Sequence, residues 1–369
     1  MYPLLLALCL ALVALLAAPA LAEPVADLPF AMTTMGTFDA PWSMAFLPGG
    51  KILVTQKRGE MILFDPATGQ KKTLAGTPAV VSTNQGGLMD VVIAPDFARR
   101  RLIYFSYTEA GEGKTSGVVL ASATLDEAGS ALREVTILFR SQPYVERASS
   151  YSGRIVLSPD GRHIFFSNGE RVQIEHAQNP RTTLGKVLRL NRDGTPARGN
   201  PLAKQGFHPA IWTYGQRNIS GLAFDRRGRL WAAEMGPAGG DEVNLIEPGA
   251  NYGWPLASNG TNYDSTDIPD HRPGDGFAPP AVYWTPSLSP GSLAYYDGAL
   301  FPAWRNSLFV TGLSGMALDR IALEGKRATK ADHWPLGMRL RNVRAGPDGA
   351  LWLLQDGPNG KMLRLTPRD

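Results

Sequence analysis

Two groups of residues are equipped for chemistry. The run Trp212-Thr-Tyr-Gly-Gln-Arg-Asn-Ile-Ser-Gly-Leu-Ala-Phe224 sets Arg217 beside Asn218, and Arg339 and Arg341 alternate further along the chain. Guanidinium groups present planar paired donors, the geometry that carboxylates of a flat anion require. Between them, Glu234-Met-Gly-Pro-Ala-Gly-Gly-Asp-Glu242 joins a Gly236-Pro237 turn to acidic residues. Backbone carbonyls and carboxylates are the oxygen ligands that calcium takes. Taken alone, Gly236-Pro237 is also an ordinary turn, Glu242 a solvated carboxylate and each arginine a surface charge. Acid–base groups are few: His163, His176, His208, His271 and His333 are the only histidines. His163 falls in a hairpin, while His176 shares a loop with Glu170 and Glu175, where solvation is the expected state of all three. No His/Asp cluster has the spacing of a metal hydrolase.

These residues need a scaffold, and the chain repeats one. A strand, a Gly/Pro/Asp turn and a second strand recur at Met44–Val54, Val91–Phe105, Ile155–Phe166, Leu222–Trp231, Leu293–Val310 and Val343–Trp352. Third apolar segments follow several copies, as at 59–64, 186–190 and 361–365. Such a unit cannot bury both faces alone and must stack on its neighbours. Six units stacked radially make an all-β, six-bladed β-propeller, which hides nearly every strand edge. Stacked β-sandwiches also show short strands at regular spacing, but equal phrases along the whole length favour the propeller. The segment 29–38 is expected to close the ring as the outer strand of the last blade. The long Gly/Asn/Asp/Pro-rich connection 251–279 is expected on the functional face.

Composition agrees. With 44% hydrophobic and 19% charged residues the chain is not disordered, and its 40 Gly and 29 Pro exclude a helix bundle. A formal charge of +4, spread without a basic block, does not favour nucleic acid. Residues 1–22 carry no charged side chain and run through an apolar stretch to Ala20-Leu21-Ala22. This predicts a signal peptide cleaved after Ala22, a single propeller domain over 23–369, a periplasmic or secreted location, and no membrane contact after cleavage. A retained anchor is the alternative. Cys9 lies within this segment, so the mature chain would have no disulfide and no thiol nucleophile.

The motifs resemble those of the PQQ-dependent soluble sugar dehydrogenases, the glucose/sorbosone dehydrogenase family of quinoprotein propellers. The resemblance is carried by Pro41-Trp-Ser-Met-Ala-Phe46, Asn84-Gln-Gly-Gly-Leu-Met-Asp90, Gly185-Lys-Val-Leu-Arg-Leu190, the 212–224 and 234–246 runs, Gly249-Ala-Asn-Tyr-Gly-Trp-Pro255, Trp284-Thr-Pro-Ser-Leu-Ser-Pro290 and Arg339-Leu-Arg-Asn-Val343. It implies PQQ held by Gln85, Arg217, Asn218, Arg339 and Arg341, with Arg217 also in the catalytic group. It further implies one calcium on the Gly236 and Pro237 carbonyls and a second on Glu242 and the Tyr252 carbonyl. A sugar or alcohol would be the substrate and an external acceptor would take the electrons.

Departures from the pattern matter as much. Where the family carries its base histidine, Ser150-Tyr-Ser-Gly-Arg154 has a serine. A serine hydroxyl cannot store a proton near neutral pH, and general base catalysis contributes about 10² to 10⁴ in rate. Gln216, Met235 and Ser314 also stand where members often have His, Gln or His, and Lys. Two readings follow: an exported quinoprotein oxidoreductase acting on an aldose or related alcohol, or a catalytically impaired propeller that binds a ligand.

Overall fold

A computed structural model describes residues 27–146 and 149–368. The signal segment predicted at 1–22 and its cleavage site lie outside the described residues. Six four-stranded antiparallel sheets follow one another along the chain. The first five run from Pro41–Phe46 to Lys71–Thr73, from Leu88–Ile93 to Leu132–Arg140, from Ser152–Leu157 to Ile211–Tyr214, from Asn218–Phe224 to Val282–Trp284, and from Pro290–Tyr296 to Arg327–Pro335. The sixth contains Leu340–Ala345, Leu351–Gln355 and Gly360–Pro367. Its outer strand is Phe30–Phe38, paired antiparallel with Gly360–Pro367, so the N-terminal strand closes the ring as its sequence suggested. The structure is a six-bladed β-propeller. Among the described residues the one α-helix is Phe97–Arg100, and no helix is long and apolar enough to cross a membrane.

Local chemistry explains each hairpin. In the third blade the turn 158–162 is closed by the Gly161 N–H donating to the Ser158 carbonyl at 2.7 Å, and Gly161 has φ 68°. Glycine reaches that left-handed conformation without steric cost. Packing explains why the hairpins gather: every large apolar cluster joins neighbouring blades. Leu53 and Leu63 pack with Phe105 and Val119, whereas Tyr104 and Val118 pack with Phe166 and Leu188. The sixth and first blades meet in the same way through Trp352, Leu354, Met44 and Val54. An isolated hairpin would leave these faces in water, at a cost of roughly 25 cal/mol per Å².

One feature positions the site. All six inner strands break register near their start, at Pro41/Ser43, Leu88/Val91, Ser152/Ile155, Ile219/Gly221, Pro290/Ser292 and Leu340/Asn342. A bulge bends its strand and re-aims the side chains beside it. Repeated six times at equivalent positions, it turns one end of the central channel into a mouth lined by every blade.

Candidate active site

The floor of this mouth is a buried ionic plug. Asp90 accepts hydrogen bonds from Ser43 Oγ at 2.6 Å, Arg344 Nη2 at 2.8 Å and the Ile155 N–H at 2.9 Å. Arg154 Nη1 lies 3.5 Å from the same carboxylate, and its guanidinium stacks on Trp42 with 3.8 Å to the ring centroid. Arg154 also donates to the carbonyls of Ser220 and Gly291, both at 2.5 Å, tying three blades together. Burial pulls the Arg154 guanidinium down to about 9 despite Asp90, which still leaves it charged at neutral pH. The Ser-Gly-Arg and Leu-Met-Asp motifs therefore build the floor, a role their sequence alone did not disclose.

Above the plug lies a cavity of ≈ 430 Å³. One wall is cationic, formed by Lys57, Arg339 and Arg341 with a single counter-charge, Asp356. Asp356 accepts from Arg339 Nε at 3.0 Å and Arg341 Nε at 2.9 Å. Burial opposes ionisation of Asp356, but Arg341 and Arg339 outweigh it and hold the carboxyl below its usual range. Burial and the charge of Arg341 lower Lys57 from its usual value. Three cations against one carboxylate leave a net positive wall suited to a polycarboxylated anion.

The opposite wall is nearly neutral: Gln85, Tyr151, Ser152, Asn218 and Met235 line it. Gln85 Oε1 accepts the Ser150 N–H at 2.9 Å, and Asn218 Oδ1 accepts the Ser152 N–H at 3.1 Å. Asn218 Nδ2 points to Met235 Sδ at 3.2 Å. Four predicted residues, Gln85, Asn218, Arg339 and Arg341, thus face one cavity, and Ser150 is tied to Gln85 at its edge. None of the five histidines lines it. Gln216 is buried and donates to Thr213 Oγ1, while Ser314 is exposed beside Ser289. Neither departure at 216 or 314 changes the cavity lining.

Arg217 is placed differently from the other arginines. It lies beside a narrow adjoining recess, where Nη1 donates to the Gly236 carbonyl at 2.7 Å and Nη2 to the Tyr263 hydroxyl at 3.2 Å. The recess is lined by Glu234, Glu242 and Tyr252. Glu242 is buried, and burial raises its carboxyl to about 7 although Asn244 favours the charged form. Glu234 is raised as well, first by burial and then by the charge of Glu242, and its Oε2 has no partner. Two buried carboxyls with an orphaned oxygen form a cradle that a cation would complete. Glu234 was not singled out in the sequence, although its position eight residues before Glu242 pairs them across adjacent strands.

Comparison with known proteins agrees with the fold and the motifs. The family model described as Glucose / Sorbosone dehydrogenase matches residues 38–364. The chain is 36% identical over 339 residues to the aldose sugar dehydrogenase YliI of Escherichia coli K12, covering 90% of this chain and 91% of that protein. The apo-form structure of the soluble aldose sugar dehydrogenase from Escherichia coli is similar at a TM-score of 0.88, with 35% identity over 92% of this chain and all of that one. The PQQ-bound form of the aldose sugar dehydrogenase from Streptomyces coelicolor has a TM-score of 0.76 and 31% identity, covering 92% of this chain and 98% of its own.

Proposed function

The chain belongs to the glucose/sorbosone dehydrogenase family, and from that premise we propose that it is an exported quinoprotein oxidoreductase. It binds PQQ, oxidises an aldose or related alcohol and passes electrons to an external acceptor. The observation that carries this reading is the net positive wall of Lys57, Arg339 and Arg341 in a cavity of ≈ 430 Å³. PQQ, a flat tricarboxylated ortho-quinone, would supply the hydride-accepting carbonyl. Arg339 and Arg341 would bind its carboxylates with paired donors, and Lys57 would add a point charge. Gln85 and Asn218, as neutral hydrogen-bonding groups on the facing wall, would orient the ring.

Both expected calcium positions offer oxygen ligands. The Glu242 carboxylate, beside the unpartnered Glu234 oxygen and Tyr252, offers the hard oxygen set that calcium takes. The Gly236 carbonyl accepts a hydrogen bond from Arg217 and, with two lone pairs, keeps one for an ion, so Gly236 and Pro237 stay the proposed ligands at the other position. Export rests on the charge-free apolar stretch of residues 1–22.

Ser150 and the absence of histidine from the lining favour a second reading, a ligand-binding propeller without turnover. Reconstitution separates the two. The mature protein is incubated with PQQ and calcium, PQQ binding is measured by titration, and dye reduction is followed with a panel of aldoses. Binding with reduction is expected. Binding without reduction leaves only the ligand-binding reading, and no binding removes PQQ from the assignment.

A further inference from the structure

The end of the propeller opposite the mouth carries a second cavity, of ≈ 550 Å³, between the third and fourth blades. Its place follows from the chain direction. The inner strand of the third blade runs from the bulge at Ser152 to Leu157, so the turn 158–162, which borders the cavity, lies at the far end. Phe165, Trp212 and Phe224 supply an aromatic lining. The Phe165 ring stands edge to face with both others, its centroid 5.5 Å from that of Trp212 and 5.3 Å from that of Phe224. Small-molecule sites are cavities of about 300–1,000 Å³ with mostly apolar walls and a few polar groups that fix orientation.

Four arginine and lysine side chains border this cavity, and three of them are spent on carboxylates. Arg162 pairs with Asp160 at 2.6 Å, Arg229 with Asp225 at 2.6 Å and Lys326 with Glu247 at 2.7 Å. The fourth, Arg189, lies over the Trp212 ring at 4.5 Å from its centroid. Its only hydrogen bond among the described residues runs from Nη2 to the Arg198 carbonyl at 2.7 Å, and its Nε has no partner. Asp160, the carboxylate whose charge reaches it, is already held by Arg162. Burial and then the charge of Arg189 lower the His163 imidazole, which therefore adds no charge at neutral pH. The junction of the second and third blades, at the same end, is different: there Arg192 is matched by Asp96 at 2.7 Å. Between the third and fourth blades one positive charge stays uncompensated against an aromatic surface.

We propose that this cavity is a second ligand site, for a planar aromatic compound that carries one carboxylate. The ring extends the edge-to-face array of Phe165, Trp212 and Phe224, the arrangement that aromatic pairs prefer. The carboxylate takes donors that Arg189 leaves unused, since a planar guanidinium meets carboxylates with paired bonds. A single free charge selects a monoanion, whereas the central cavity, with three cations against one carboxylate, suits a polycarboxylate. No residue lines both cavities, so this site neither needs the quinoprotein reading nor opposes it.

Calorimetric titration of the protein with naphthoate, and with its neutral counterpart naphthylmethanol, tests this. Wild type is expected to bind naphthoate about tenfold or more tightly than the alcohol, as a charge-assisted bond requires. Arg189→Gln should lose that preference. Arg341→Met, which alters only the central cavity, should keep naphthoate affinity within about twofold. A fluorotryptophan label supplies a readout in the otherwise wild-type protein: the Trp212 fluorine resonance, identified by its loss in Trp212→Phe, should shift as naphthoate is added. That measurement decides the matter if Arg189→Gln does not fold, and Arg189→Lys, which keeps the charge, should retain part of the preference. The proposal is overturned by absent naphthoate binding, by equal binding of the two probes or by a Trp212 resonance that does not move. Naphthoate binding that is lost in Arg341→Met and kept in Arg189→Gln also overturns it, because the probe then occupies the central cavity.

Discussion

The two walls of the central cavity carry different chemistry. The wall from the first and sixth blades holds Lys57, Arg339, Arg341 and Asp356, a set with three cations against one carboxylate. The wall from the third and fourth blades presents Tyr151, Ser152, Asn218 and Met235, with no titratable group except the Tyr151 phenol, itself engaged with Ser116 Oγ at 2.8 Å. The cationic and the neutral groups of the cavity therefore come from different blades. Substitution can alter one and spare the other, as Ser150 and Met235 do while the arginines stay in place.

The largest effect should come from below both walls. Arg154 joins the carbonyls of Ser220 and Gly291 to Asp90, so Arg154→Met leaves buried Asp90 with Arg344 for its charge, beside the Ser43 hydroxyl and the Ile155 N–H. Breaking a buried ion pair costs roughly 3–5 kcal/mol. The denaturant midpoint should fall accordingly, and PQQ binding and dye reduction should fail together, because neither wall keeps its floor. Next comes the cationic wall alone. Arg341→Met should weaken PQQ by roughly 10- to 150-fold, the equivalent of about 1.5–3 kcal/mol for charge-assisted bonds. Calorimetric titration would read this, with a smaller fall in the denaturant midpoint than for Arg154→Met, since Asp356 keeps Arg339. The neutral wall gives the opposite signature: Ser150→His should raise dye reduction about tenfold or more and leave PQQ affinity within about twofold. An unchanged rate would show that the wall's defect extends to Met235, beside Asn218.

How much of this was written in the sequence depends on the range of the interactions. The blades were legible because each hairpin is local and its turn residues have definite conformational needs. The segment 29–38 precedes the first hairpin, and its strand Phe30–Phe38 closes the ring as expected. The cationic wall was legible because Arg339 and Arg341 lie two apart in one motif, and in the structure they flank Leu340 at the start of an inner strand, where both reach Asp356. Lys57 and Asp356 were not, since they enter from other segments and only the closed ring brings them together. Glu170 was misjudged as solvated because burial comes from the crossing of its loop with the segment at Ser150, a contact visible only in Gly169 and only after folding. Arg217 illustrates the reverse: its motif was recognised, yet its guanidinium is directed to Gly236 and Tyr263 instead of into the main cavity.

The smallest effect concerns pH and tests whether the cationic wall is as constant as its geometry implies. Asp356 has its carboxyl lowered in the folded protein by Arg341 and Arg339 against the opposing effect of burial. A depressed carboxyl contributes stability that is fully present above its unfolded value near about 3.9 and is lost as pH falls through the folded value. Both ion pairs therefore stay intact from about pH 5 upward, and PQQ affinity should vary by less than about twofold between about pH 5 and 8. Lys57 sets the other end. Burial and Arg341 lower its ammonium, so it loses its proton before an ordinary lysine would as pH rises. Affinity should then weaken on the alkaline side, and Lys57→Met should remove that dependence while lowering affinity at neutral pH. A dependence that survives Lys57→Met would place the titrating group elsewhere than on the cationic wall.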